Sequence, residues 1–420
     1  MRLSELFNNS KTNQQDSKAP NDGHIGPPDL WIAGIAFVLV VIGLVMVYSA
    51  SSPIALKKFD DPAHYALRNG FFALLGTMVL AYVSKMPIPT IQQLGRIGFW
   101  VSLLMLALVL IPGVGIEGGG ARRWINFRFT TMQPSELFKV TLVLFLAHLM
   151  TLQPERVTRF KGGLAPILIL YIIAASLLMN EPDFGTTLIT GSVVLGMVFV
   201  AGIPFGWIAT LILAAVPAAA IGVLMAPYRV QRITSFLDPW DDPLGSDFQL
   251  VQSLLAFGNG GISGTGLGEG QQKQFYLPES HTDFILAVIG EELGLFVVLL
   301  IIGLFALLTW RAFRIARFSN NRFAQLSSAG FAILIGTQSL ANMGVVMGLL
   351  PPKGLTLPLV SYGGSSLIIT MLIVGLLLSF SRTVPVAGSI DPELKEAKKR
   401  TKPKAESDKV RSMLKKGDGH

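Results

Sequence analysis

The chain contains no cysteine. That excludes a disulfide framework, cysteine-ligated zinc and thiol catalysis, while leaving the compartment open. Charge is also scarce: 14% of the 420 residues are Asp, Glu, Lys or Arg, against 51% hydrophobic. Soluble domains carry roughly a quarter charged residues, so this chain lacks the polar residues to cover a water-facing surface. Its mean hydropathy of +0.55 points to a membrane protein. The first thirty residues are polar and show no short apolar core with a cleavage site, so no secretory signal is read there. Familiar catalytic signatures are missing too. There is no HExxH, and the outward regions hold no Ser-His-Asp arrangement. The glycine-rich run GNGGISGTGLGEG, 258–270, lacks the Gly-Lys-Ser/Thr of a phosphate loop and the strand and helix of a dinucleotide fingerprint. It reads as a close-approach glycine segment.

What the chain has in abundance is apolar runs. A transmembrane helix needs about 20 apolar residues. Ten segments qualify: about 31–51, 70–87, 97–113, 135–152, 164–181, 185–202, 205–226, 284–309, 327–350 and 358–380. The expected fold is an all-α polytopic membrane protein of ten transmembrane helices with one large extracytoplasmic loop. Ten spans put both termini on one side. The lysine-rich segment after Ser381 supplies most of the net charge of +8, which places that side in the cytoplasm and speaks for a membrane surface rather than nucleic acid. The short loops agree: Arg156, Arg159 and Lys161, then Arg311, Arg314, Arg317 and Arg322, fall inside. The organisation read is a polar cytoplasmic tail over 1–29, a membrane domain over 30–382 and a basic, disordered cytoplasmic tail over 383–420.

With this orientation one long segment, about 227–283, lies outside. It is too polar to span. Residues 229–238 read as a short amphipathic helix, with Val230, Ile233, Phe236 and Leu237 on one side and Arg229, Arg232 and Asp238 on the other. The loop ends in FYLPESHTDFILAVIGEELG, 275–294. Pro278 breaks any preceding helix. Glu279, His281 and Asp283 crowd the mouth of the next span. Thr282 or Asp283 can cap a helix starting at Phe284; alternatively, Asp283 can act as a general base towards a hydroxyl within hydrogen-bond reach. Glu291 and Glu292 fall two turns into the span and need a partner or a wet cavity.

Other outward regions supply a matching polar set. GGGARRWINFRFTTMQPSELFKV, 118–140, puts Arg122 and Arg123 outside, against the charge rule. Glu136 and Lys139 follow at i and i+3 on one helix face, where they can pair. MNEPDFGTT adds Asp183. LLPPKGLTLPLVSYGGSS, 349–366, adds Lys353 and, near the tenth span, Ser361, Tyr362, Gly363 and Gly364. A base beside cations at a bilayer surface suits a lipid-linked phosphate substrate, with the cations stabilising a departing diphosphate.

FYLPESHTDFILAVIGEELG, GARRWI…MQPSE, NEPDFGT and LPPKGLTLPLVSYGGSS together resemble the SEDS family of bacterial cell-wall polymerases, over about 30–382 and in the family's order. The likeness is nearest to the septal, cell-division branch, with the elongation branch as near relative. Phe275 departs from the pattern, at a position where a more polar residue is expected. The resemblance implies a peptidoglycan glycosyltransferase in the bacterial inner membrane that polymerises lipid II at the septum and releases undecaprenyl pyrophosphate. It implies Asp283 as catalytic base, with Arg123, Lys139 and Lys353 lining the cavity, Glu136 orienting Lys139, and Glu279, His281 and Ser361 beside the substrate. It implies a class B penicillin-binding transpeptidase and further divisome proteins as partners. A divalent cation (Mg or Mn) is compatible with pyrophosphate chemistry, but no ligand set here demands one. Two other readings stand beside the enzyme: a flippase carrying lipid II across the bilayer, and a scaffold recruiting the transpeptidase. A carrier wants its key groups near the midplane, and Asp283 lies at one face; a scaffold leaves the buried charges unexplained.

Overall fold

The computed structural model describes residues 26–385 apart from 119–120, 127–130, 153–159, 244, 246, 275–276 and 278–279. The expected tails and Glu279 therefore fall wholly or largely outside the described residues. In chain order the helices are α1 (Leu30–Phe59), α2 (His64–Val83), α3 (Ile88–Val109), α4 (Pro134–Leu152), α5 (Ala165–Asn180), α6 (Phe184–Val200), α7 (Phe205–Leu224), α8 (Pro227–Leu237), α9 (Phe248–Gly260), α10 (Ile285–Phe318), α11 (Arg322–Val346) and α12 (Gly364–Ser381).

Among the described residues nine helices are long and apolar enough to cross a membrane. Each of the ten expected spans meets a helix; α5 reaches the required length as Gly162–Asn180, with the helical turn before it, whereas α6 has only 17 residues, so the count of ten rests on α6. Its start is fixed by Asp183, whose Oδ1 accepts the Thr186 amide at 3.1 Å. The tenth span begins later than expected, at Gly364, because Pro358 to Gly363 forms a turn with Leu359 at positive φ.

Burial sorts the bundle. α4, α11 and α12 are largely enclosed, whereas α7 buries only 11% of its apolar window, as a lipid-facing helix does. α10 packs on α11, α12 on α2, α3 on α4, and α11 on both α6 and α4. One core of aliphatic and phenyl side chains runs through them, including Phe99, Phe138, Phe331 and Phe380.

Three features between the spans depart from the sequence reading. Between α3 and α4 lies a small antiparallel sheet, β1 (Gly115–Gly118), β2 (Ala121–Asn126) and β3 (Thr131–Met132), in the order β1-β2-β3. α9 occupies a stretch read only as loop; it buries Leu250, Val251 and Ala256 and packs on α10. The amphipathic α8 forms as expected, but Arg229 is buried instead of facing water. Its Nη1 donates to the Gly222 carbonyl at 2.5 Å and its Nε to the Tyr228 hydroxyl at 2.8 Å. The guanidinium also lies over the Phe184 ring. Carbonyl and ring satisfy a charge that would otherwise be costly to bury.

Candidate active site

A cavity of about 810 Å³ opens at the end of the bundle that carries the β-sheet and α8. Its wall is assembled from segments far apart in sequence: Arg68 and Phe72 on α2, Arg123 and Trp124 on β2, Glu136 on α4, Tyr228 and Arg232 on α8, Thr282 and Asp283 before α10, and Lys353, Gly354, Thr356 and Tyr362 before α12. Two carboxylates thus face four cations. Glu136 is already engaged, accepting Lys139 Nζ at 2.8 Å, which leaves the wall positive overall. Such a surface suits an anionic ligand.

Asp283 is half-buried and its backbone is pinned. Asn342 Nδ2 donates to the Asp283 carbonyl at 2.8 Å and to the Leu355 carbonyl at 2.5 Å, tying the base candidate to the Lys353 loop. Helix α10 starts at Ile285 with Phe284 in the N-cap position, one residue beyond Asp283. Neither Thr282 nor Asp283 occupies the cap. The carboxylate instead faces Gly354: a Cβ built there would lie 3.2 Å from Asp283 Oδ2.

The other expected residues fall in two places. Arg123, Glu136 and Lys353 reach the cavity wall. Lys139, His281 and Ser361 stand behind it. Lys139 is buried and also donates to Gln338 Oε1 at 2.9 Å. The His281 ring packs against Tyr65 and Tyr362, and its carbonyl accepts the Tyr362 amide at 2.9 Å. Ser361 Oγ accepts the Leu357 amide at 2.8 Å, holding the turn that carries Tyr362. Arg123 has two duties. Its Nε and Nη2 donate to the carbonyls of Glu181 and Pro182, each at 2.8 Å, fastening β2 to the turn before α6 while the guanidinium still borders the cavity. Burial holds the Lys353 ammonium below the usual lysine range, and its Nζ lies 5.7 Å from the centre of the Phe184 ring. A bound anion would favour its charged form. Burial also pushes the Tyr362 phenol up, against the opposing pull of Arg68.

Arg68 and Tyr228 were missed in the sequence reading, and Arg232 was noted only as part of a helix face. Arg68 precedes the apolar run of its span, and only a helix starting as early as His64 brings it to the cavity. A second cavity of about 520 Å³ shares Arg123, Tyr228, Arg232, Lys353 and Gly354 with the first and continues along apolar Phe184, Leu188, Ala219, Ala220 and Val223. Among the described residues no group of three or more His, Asp or Glu could hold a metal ion.

A polytopic helical bundle with a polar cavity whose wall is mostly positive defines a membrane protein with a site suited to an anionic ligand. The family model described as cell cycle protein, FTSW_RODA_SPOVE, matches residues 30–385, and the chain belongs to that family. It is 44% identical over 353 residues to the probable peptidoglycan glycosyltransferase FtsW of Geobacter metallireducens, covering 84% of this chain and 94% of that one. It is 42% identical over 355 residues to the stage V sporulation protein E of Bacillus subtilis, covering 84% and 97%. Among solved structures, it resembles one reporting the coordination of polymerization and crosslinking by a peptidoglycan synthase complex, with TM-score 0.68, 31% identity and coverage of 84% and 98%. It also resembles the Thermus thermophilus rod shape determining protein RodA, with TM-score 0.62, 28% identity and coverage of 84% and 97%.

Proposed function

We propose that the chain is a peptidoglycan glycosyltransferase that polymerises lipid II at the division septum, with Asp283 as general base. The observation that carries this reading is Asp283 on the wall of a cavity whose other charges are mostly cationic. The Asp283 carboxylate takes the proton of the acceptor sugar hydroxyl. The freed oxygen attacks the anomeric carbon of the donor, and the bond from that carbon to the diphosphate oxygen breaks. The electron pair leaves with undecaprenyl pyrophosphate, whose charge is met by Arg123, Arg232 and Lys353. The apolar end of the second cavity, at Leu188, Ala219, Ala220 and Val223, suits the isoprenoid chain, since the shared wall then lies at the diphosphate. Arginine and lysine carry the electrostatic role in this proposal.

The names of the sequence relatives support the septal role over the elongation role. The resemblance to a peptidoglycan synthase complex supports a crosslinking partner, a class B penicillin-binding transpeptidase. The basic loops support an inner-membrane location with both termini in the cytoplasm. The flippase reading draws on the buried Glu136, Lys139 and Glu292, but Glu136 accepts Lys139 Nζ and Glu292 accepts Lys273 Nζ, so these charges are paired within the bundle.

The test is Asp283→Asn, purified with the transpeptidase and given labelled lipid II in detergent. Loss of a general base costs about 10²–10⁴ in rate, so the wild type is expected to give glycan polymer on a gel and the folded, partner-bound variant almost none. Normal polymer from the variant removes Asp283 from the chemistry.

A further inference from the structure

The stretch before Asp283 folds back against α10, and the two acidic residues of that helix are what it folds onto. Lys273 Nζ donates to Glu292 Oε1 at 2.7 Å. Ser49 Oγ, from α1, lies 2.8 and 2.7 Å from the two Glu292 oxygens and accepts from Lys273 at 2.9 Å. The Gly268 amide donates to Glu292 Oε2 at 3.0 Å. Glu291 takes the amides of Gln271 and Gln272. Lys273, Glu291 and Glu292 are all buried, and these contacts satisfy their charges.

The helix they hold is short. α10 is interrupted at Gly294, with φ 75 and ψ −176, a backbone that only glycine adopts readily. At the break the loop supplies the missing hydrogen bonds. The Thr265 and Gly266 amides donate to the carbonyls of Glu291 and Glu292, and the Leu295 amide donates to the Gly261 carbonyl. A Cβ on Gly294 would lie 2.4 Å from the Ile262 carbonyl oxygen, so the crossing admits no side chain. Residues 285–293 therefore form a separate rod, roughly 13 Å long at 1.5 Å per residue, and 285–292 are buried throughout. Asp283 leads into one end of it. Glu292 lies at the other.

We infer that Lys273, Glu292 and Ser49 are positioning residues. They clamp the far end of the rod to the glycine-rich loop and to α1, and so fix where the Asp283 carboxylate stands in the cavity. The inference rests on Asp283 being the base. It differs from a purely structural ion pair in what it requires of turnover. A buried pair replaced by apolar side chains of similar size is often neutral or stabilising, but a base displaced by about 1 Å can lose 10²-fold in rate.

The experiment compares full-length wild type, Asp283→Asn, Lys273→Arg and the double variant Lys273→Met/Glu292→Met, each with the transpeptidase and lipid II. Chromatographic homogeneity and thermal unfolding report the fold. The folded double variant is expected to lose roughly tenfold or more in kcat while KM stays within about twofold, with Lys273→Arg retaining most activity. A folded double variant with wild-type kcat overturns the inference and leaves the assignment of Asp283 intact. If the double variant does not fold, Ser49→Ala decides, since it keeps both charges: a fall of about three- to tenfold in kcat at unchanged KM and Tm supports the clamp, and unchanged kcat overturns it. Equal activity of wild type and Asp283→Asn removes the base assignment and the clamp with it.

Discussion

Gly354 stands against the Asp283 carboxylate, so close that a Cβ on residue 354 would lie 3.2 Å from Oδ2. The backbone of Gly354 is not in the left-handed region, so the constraint is space around the carboxylate. Gly354→Ala is expected to lower kcat by a few-fold, and Gly354→Val by about 10²-fold, because a small displacement of a catalytic group costs that much. Unfolding free energy should change by less than about 1 kcal/mol. Steady-state kinetics beside thermal unfolding checks both. A Gly354→Val variant with full turnover would mean the carboxylate works from another position.

Lys139 and Glu136 form the second buried pair, 2.8 Å apart. Removing one partner leaves an uncompensated buried charge and costs about 3–5 kcal/mol. Lys139→Met should therefore express poorly and unfold early, whereas Lys139→Met/Glu136→Gln should regain most of the stability. Thermal unfolding of the two variants in one detergent distinguishes them. Equal destabilisation would show that Lys139 acts through its contact with Gln338 and not through the pair.

Glu181 gives the chain a pH dependence. Both of its carboxyl oxygens are buried with no hydrogen-bond partner. Burial, and then the neighbouring Asp183, push it from 4.5 up to about 9, while Arg123 pulls the other way. A carboxyl with a folded pKa above its unfolded value contributes stability that is complete below pH 4.5 and is lost as pH rises through about 9. Stability should fall with pH across that window by as much as about 1 kcal/mol per unit. Glu181→Gln should remove this slope. Unfolding midpoints of wild type and variant from pH 5 to 9 provide the comparison, and parallel curves would assign the slope elsewhere.

Much of the architecture is legible in the sequence because the bilayer imposes it. A hydrocarbon layer of fixed thickness demands apolar runs of a set length, and the runs are there. The basic loops orient them by the same kind of local rule. Asp283, Arg123, Glu136 and Lys353 are legible as polar residues at the ends of those runs, where water begins. Three things are not. The partners of Glu292 come from 19 residues upstream in Lys273 and from the first helix in Ser49, and no spacing rule connects them. The interruption of α10 at Gly294 looks in sequence like one glycine in an apolar helix; it is a break because the backbone of the glycine-rich loop crosses there and supplies the hydrogen bonds. The amphipathic pattern of α8 assigns Arg229 to water, yet the helix lies on Phe184 and the Gly222 carbonyl, which take the guanidinium instead. The sequence by itself determined which segments enter the membrane, because that depends on local composition. The tertiary structure alone decided which buried charges meet and where the base is held, because those contacts join positions that only folding brings together.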